Sequence, residues 1–185
     1  DIDATVKGNN PDLKMIDNLA TECRMPLCYG GGIKKVEQIH QIIELGVEKV
    51  SLSSGAIENP EIVKSAAKFV GNQSIVITLD IKKLDNKYFV FTQNGKENTR
   101  LDPVNLVKDF EKYGAGEIVI NSITNDGKMK GYDMQLVEII KDAVSIKNIN
   151  NKKIISVIED ILNNGLTLCF ELIFIFFLVR DLKIL

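Results

Sequence analysis

The chain has 185 residues, of which 45% are apolar and 26% charged, enough to bury a substantial core and too apolar for disorder by composition. Its 23 Lys and Arg are interspersed with 25 Asp and Glu for a formal net charge of -2, so it lacks the basic footprint of a nucleic-acid-binding surface. One domain is the default, and small anionic ligands remain open to local sites.

The first residues, Asp1-Ile2-Asp3, read as the end of a strand carrying two carboxylates, followed by a polar loop over residues 3–8. No basic-then-apolar leader precedes them, so the start reads as that of a fragment or a processed chain. From there strand-like runs at residues 25–29, 49–53, 74–79 and 117–121 alternate with amphipathic stretches at 11–22, 36–45, 60–69, 103–113 and 132–144. The runs are short and rich in β-branched or apolar residues, as buried parallel strands are. Pro11, Pro60 and Pro103 stand at helix starts, and Gly46 and Gly114 where helices should stop. Repeated βα units predict a parallel sheet under helices, as a barrel or a doubly wound sheet.

At the first strand-to-helix junction stand Gly30, Gly31 and Gly32. Three glycines in one turn imply positive φ or close approach to backbone, and the N–H groups opening a helix offer an anion site. A tight turn with close helix–sheet packing explains them equally. Ser53-Ser54-Gly55 follows the next strand with small donors that also suit phosphate oxygens. Asp80 closes the strand at 74–79, the edge where a barrel gathers its catalytic groups. Burial there could bring a carboxyl into the range of general acid–base work. The alternative is an Asp capping the following turn. Lys49 and Glu117 stand at strand beginnings, hence at the opposite mouth, as surface charges or as an inward ring closing the barrel bottom.

After Asp80 an insertion holds Tyr88-Phe89-Val90-Phe91-Thr92 and then Asn94-Gly95, a hairpin turn signal, and is read as a β-excursion on the C-terminal face. Asp126-Gly127 lies in the polar loop after the strand at 117–121. Residues 12–24 and 133–145 share an acidic start and apolar spacing, which suggests two related half-barrels, with chance likeness of amphipathic helices as the alternative. The second copy should lead into another glycine cluster, yet residues 146–153 read Ile-Lys-Asn-Ile-Asn-Asn-Lys-Lys, and no βα periodicity is legible beyond them. The apolar run at 166–179 is broken by Glu171 and falls short of the roughly 20 residues of a membrane span, so no membrane partner is expected.

Cys23, Cys28 and Cys169 have neither metal-ligand spacing nor an even count, and read as buried fillers in a reducing cytoplasm. His40 is the only histidine, placed on a solvated helix face, so no multi-histidine metal site can form and no metal or cofactor is expected.

Taken together, "DIDAT", "CYGGGI", "GVEKVSLSSGAIENP", "LDIKK" and "GAGEIVINSITNDGKMKGYD" resemble the cyclase subunit of imidazole glycerol phosphate synthase, the HisF family, over residues 1–145. The resemblance implies an α/β fold, a (βα)8 TIM barrel built of two similar halves, here incomplete, with residues 146–185 an atypical segment. It implies a histidine-biosynthetic enzyme of the cytoplasm that joins ammonia from a partner glutaminase subunit, as a heterodimer, to a bis-phosphorylated aminoimidazole carboxamide ribonucleotide. Asp80 then matches one of two catalytic aspartates. Gly31, Gly32, Ser53 and Ser54 match one phosphate site, although the family commonly has Asn-Thr at 53–54, and Asp126 and Gly127 match part of the other. Lys49 and Glu117 match the charged gate for ammonia, and Asp1 belongs to the active-site face. The strand bearing the second aspartate, the second glycine cluster and the last phosphate loop have no match, which implies little or no cyclase activity for this chain alone. Other readings are a paralogue modifying surface sugars with acetamidino groups, favoured by "DIDAT", "MPLCYGGGI" and "LDPV", and a non-catalytic barrel remnant.

Overall fold

The structure is a computed structural model that describes residues 1–124, 133–144 and 153–156. It contains, in order, α1 (Ile2–Lys7), α2 (Leu13–Glu22), β1 (Cys28–Gly30), α3 (Val36–Glu44), β2 (Lys49–Leu52), α4 (Ser54–Glu58) and α5 (Glu61–Val70). A 3-10 turn over Asn72–Ser74 leads to β3 (Ile75–Leu84), β4 (Lys87–Thr92), β5 (Glu97–Asn98), α6 (Pro103–Tyr113), β6 (Glu117–Ser122), α7 (Met134–Ala143) and β7 (Lys153–Ser156). Strands β1, β2, β3, β6 and β7 pair in that order, all parallel. Each strand-to-strand crossover carries helix, which is the βα repeat of a (βα)8 barrel, with five parallel strands among the described residues.

The helices form where the chain supplies both caps and an apolar stripe. Asp12 accepts from Met15 N, Asp102 from Val104 N and Asn105 N, and Asp133 from Leu136 N, so each meets amide groups the first helical turn leaves free. Pro103 sits in the first turn of α6, where its missing N–H costs nothing. Ile39 and Ile42 of α3, Ile62, Val63 and Ala66 of α5, and Val107 and Phe110 of α6 recur at helical spacing and are buried. They meet Val50, Leu52, Ile75, Ile77, Leu79, Ile118 and Ile120, which point to the helix side of the sheet. Truncating a buried aromatic such as Phe110 to alanine would cost about 3–5 kcal/mol.

The structure corrects three expectations and bears out the β-excursion with Asn94-Gly95 at a hairpin turn. Residues 2–7 are helix α1 rather than a strand end and polar loop, because the Asp1 carboxylate accepts from Ala4 N and caps a turn. Asp80 does not close its strand: β3 runs on to Leu84, where its pairing with β2 and β6 gives way to an antiparallel hairpin with β4. That hairpin turns at Asp85 and Asn86, both with positive φ as a two-residue turn of this type requires, and Asn94-Gly95 lies in the turn joining β4 to β5. Beyond residue 145, where no periodicity was legible, β7 pairs with β6 from Glu117↔Lys153 to Ile120↔Ser156. Its run Lys-Ile-Ile-Ser is a short strand with two β-branched residues at its centre.

The two proposed repeat helices share their caps but not their buried face. Helix α7 buries Leu136 and Ile140 against α6, while the matching Met15 and Leu19 of α2 are exposed and Ile16 is buried instead.

Candidate active site in the sheet lumen

Side chains alternate across a strand, so residues two apart share a face. On the face away from the helices, the residues of β2 are Lys49 and Ser51, those of β3 are Val76, Thr78 and Asp80, and those of β6 are Glu117, Val119 and Asn121. Three contacts tie them into tiers. Lys49 Nζ lies 2.8 Å from Glu117 Oε2, Ser51 and Thr78 share a hydrogen bond of 2.6 Å, and Asn121 Nδ2 donates to Asp80 Oδ1 at 2.9 Å. A polar line thus runs from the N-terminal to the C-terminal end of a sheet whose other face is apolar.

Lys49 and Glu117 are an inward pair at the strand beginnings, with side chains only 14% and 7% exposed. The charges touch without the angles a hydrogen bond requires, so their attraction is Coulombic. Cys28 stands beside Lys49 in the β1–β2 register. Burial pushes its thiol up to about 12, with Glu117 adding to the rise and Lys49 opposing it. The thiol is therefore inert at neutral pH. The reading of the cysteines as buried fillers does not hold for Cys23: it is partly exposed at the end of α2, with its thiol on Met25 O at 3.3 Å. Cys28 is also only partly buried by surface, because it faces the lumen. Cys169 lies outside the described residues.

At the opposite end the glycine turn and the start of α4 lie side by side. Gly31 and Gly32 have φ of 116° and 71°, and a Cβ on either would strike the chain's own backbone, Asp1 O and Asn9 O respectively. The close approach expected of a ligand is thus made, at these two residues, by the segment around α1. Gly32 N donates to Thr5 Oγ1 at 3.3 Å, and the backbone nitrogen of Asp1 donates to Gly30 O, which sets Asp1 at the C-terminal end of β1. The Ile33 carbonyl faces Gly55 at 2.5 Å from where a Cβ would be, which brings Gly32 next to Ser53 and Ser54. The Ser53 carbonyl accepts from Ala56 N and Ile57 N, and buried Ser54 Oγ accepts from Gln93 N at 3.3 Å.

The hairpin excursion therefore folds over this end. Besides Gln93, it is tied at Tyr88, whose hydroxyl donates to the Asp133 carboxylate at 2.9 and 3.0 Å. Burial, and then Asp133, push the Tyr88 hydroxyl up to about 12. Asp126 and Gly127 lie outside the described residues, as does the side chain of Asp3. His40 is half-exposed on α3, as expected, with Nδ1 3.4 Å from Glu44 and its ring edge-on to Phe69. Among the described residues no group of three or more His, Cys, Asp or Glu could hold a metal, and no helix is long and apolar enough to cross a membrane.

Asn121, Gln93 and the Tyr88–Asp133 bond were missed in the sequence. The only signal for Asn121 was its register: a strand-end amide opposite Asp80 once β3 and β6 are known to be neighbours.

Fold and site together define a (βα)8-type barrel protein with a charged pair at one end of its lumen and a carboxylate beside a glycine turn at the other. A family profile described as "Histidine biosynthesis protein" matches residues 1–151. A Vibrio vulnificus protein provisionally named imidazole glycerol phosphate synthase subunit hisF3 is 53% identical over 148 residues, 79% of this chain and 57% of the relative. A Leptospira interrogans protein provisionally named as subunit HisF of that synthase is 49% identical over 140 residues, 75% of this chain and 55% of the relative. The imidazole glycerol phosphate synthase subunit HisF of Sulfurisphaera tokodaii is 39% identical over 146 residues, 79% and 59%. The chain belongs to the histidine biosynthesis protein family, in its HisF branch, and spans a little over half the length of these relatives.

Proposed function

We propose that this chain carries cyclase chemistry of the imidazole glycerol phosphate synthase type. Ammonia from a partner glutaminase subunit would combine with a bis-phosphorylated aminoimidazole carboxamide ribonucleotide, yielding imidazole glycerol phosphate and an aminoimidazole carboxamide ribotide. The observation that carries this reading is the polar line through the sheet from Lys49–Glu117 to Asp80, in a chain with HisF relatives.

In this reading the glutaminase docks in the cytoplasm at the N-terminal face, and Lys49 and Glu117 admit ammonia. Asp80 acts as a general acid and base on the bound ribonucleotide, which needs a group within hydrogen-bond reach of the moving proton. Gly31, Ser53 and Ser54 hold one phosphate through backbone N–H and hydroxyl donors, in the turn that Gly32 closes by donating its own N–H to Thr5, and Asp126 and Gly127 help to hold the other. Asp1 lines the same face. The strand that carries the second catalytic aspartate in the family has no match among the described residues, so the chain alone should bind the ribonucleotide and turn it over very slowly or not at all.

The test is calorimetric binding of the bis-phosphorylated ribonucleotide beside turnover with free ammonia. Binding that weakens at least tenfold in Ser54→Ala supports the phosphate assignment, and binding no tighter than that of inorganic phosphate refutes it. Turnover that approaches that of a full-length relative would refute inactivity of the chain alone. The stretches "DIDAT", "MPLCYGGGI" and "LDPV" favour a second reading: a paralogue that delivers ammonia to a different acceptor, as in acetamidino modification of sugars. Tight binding of a nucleotide sugar in place of the ribonucleotide would decide for it.

A further inference from the structure

Asn121 faces Asp80 across the β3–β6 register and donates from Nδ2 to Asp80 Oδ1 at 2.9 Å. The opposite amide orientation would set an acceptor against the carboxylate, so this bond fixes which end of the amide looks away. That end, Oδ1, is buried and accepts no hydrogen bond among the described residues, and the Thr124 hydroxyl just beyond β6 is buried and without a partner among them too. A buried acceptor left unmet weakens a fold, and one kept beside a carboxylate at the end of a polar lumen calls for a ligand that brings the donor.

We propose that Asn121 is a positioning residue that orients Asp80 through Nδ2 and receives ammonia through Oδ1. This rests on the reading of the lumen as the ammonia route. An acceptor suits that role, because it holds ammonia by one of its N–H bonds and leaves the nitrogen lone pair free for attack. A donor in the same place would occupy that lone pair. The line from Lys49–Glu117 through Ser51–Thr78 ends at this amide, so a small N–H donor that travels along it meets Asn121 beside Asp80. The substrate's own carboxamide is also an N–H donor and is the competing occupant.

The experiment follows the Asn121 side-chain amide by nitrogen-edited NMR in the full chain. Ammonium chloride is titrated at mildly alkaline pH against potassium chloride of equal ionic strength, and 5-aminoimidazole-4-carboxamide is titrated separately. A saturable shift with ammonia and none with the carboxamide is the expected result. A shift with the carboxamide alone, or with neither, overturns the assignment of ammonia. In Asn121→Leu, carbon NMR of the Asp80 carboxyl should show its titration displaced upward by about one pH unit from the parent, since the charged form loses a donor. An unchanged midpoint overturns the positioning role. The ligand titrations need no variant to fold, and no arm reads turnover, so a chain that fails as a cyclase can still pass or fail here.

Discussion

Replacing Glu117 with glutamine leaves Lys49 charged in a lumen where its partner's side chain is only 7% exposed. At the observed 2.8 Å and an effective dielectric of about 20, two unit charges attract by about 6 kcal/mol. Removing both ions from water costs several kcal/mol each, so the intact pair adds little net stability. Losing one partner is different, because the survivor keeps its desolvation cost without the attraction. Glu117→Gln should therefore lose about 3–5 kcal/mol. Lys49→Met should lose a similar amount, whereas the double variant Lys49→Met/Glu117→Leu should lie within about 1 kcal/mol of the parent. The chain has no tryptophan, so urea unfolding is best followed by far-ultraviolet circular dichroism. Single variants that each cost under about 1 kcal/mol and add in the double would refute the coupling.

Two tyrosines should respond unequally to loss of the hydroxyl. Tyr29→Phe removes a buried hydroxyl that faces the Asp12 backbone without a well-formed hydrogen bond among the described residues, and should change stability by less than about 1 kcal/mol, whereas Tyr88→Phe breaks a charged hydrogen bond to Asp133 and should cost about 1–2 kcal/mol. Equal losses in urea melts would contradict this. Gly31→Ala meets both a positive φ and the Asp1 carbonyl, and should cost more than about 2 kcal/mol, while Gly32→Ala at φ 71° with Asn9 O at 2.6 Å should be of similar severity. Wild-type melting temperatures in either variant would mean that the turn differs in solution. The Cys28 thiol rises from 9.0 to about 12 in the folded chain, so the fold keeps a proton that the unfolded chain releases above pH 9.0. Stability on this account is whole below that pH and declines as pH climbs toward 12, a slope that Cys28→Ala should reduce. At pH 8, site-resolved alkylation should label Cys28 on the order of a thousandfold more slowly than an ordinary thiol; comparable labelling of Cys28 and Cys23 would refute its burial.

Much of the fold was legible because its signals are local. An aspartate three residues ahead of the amide it caps, a proline in the first turn, and isoleucines spaced by three or four act within one helical turn, so Asp12, Asp102, Pro103, Ile39 and Ile42 could be read without knowing their neighbours. The placement of Lys49 and Glu117 at strand starts, and of Asp80 toward the far end, followed from the same alternation. Helix α1 was hidden because its cap, Asp1, looks in isolation like a strand-end carboxylate. Strand β7 was hidden because a four-residue strand is certified mainly by the neighbour it pairs with.

By itself, the sequence determined the βα rhythm, the glycine turn and the family, since periodicity, capping and motif order need no partner from elsewhere in the chain. Tertiary structure alone decided that Lys49 meets Glu117, that Asn121 meets Asp80, and that Gly31 and Gly32 are crowded by Asp1 and Asn9. Those contacts join residues tens of positions apart. The first two are set by strand register, and a shift of one residue would turn Lys49, Glu117, Asp80 and Asn121 to the other face of the sheet, whereas the glycine contacts are set by where the segment around α1 lies.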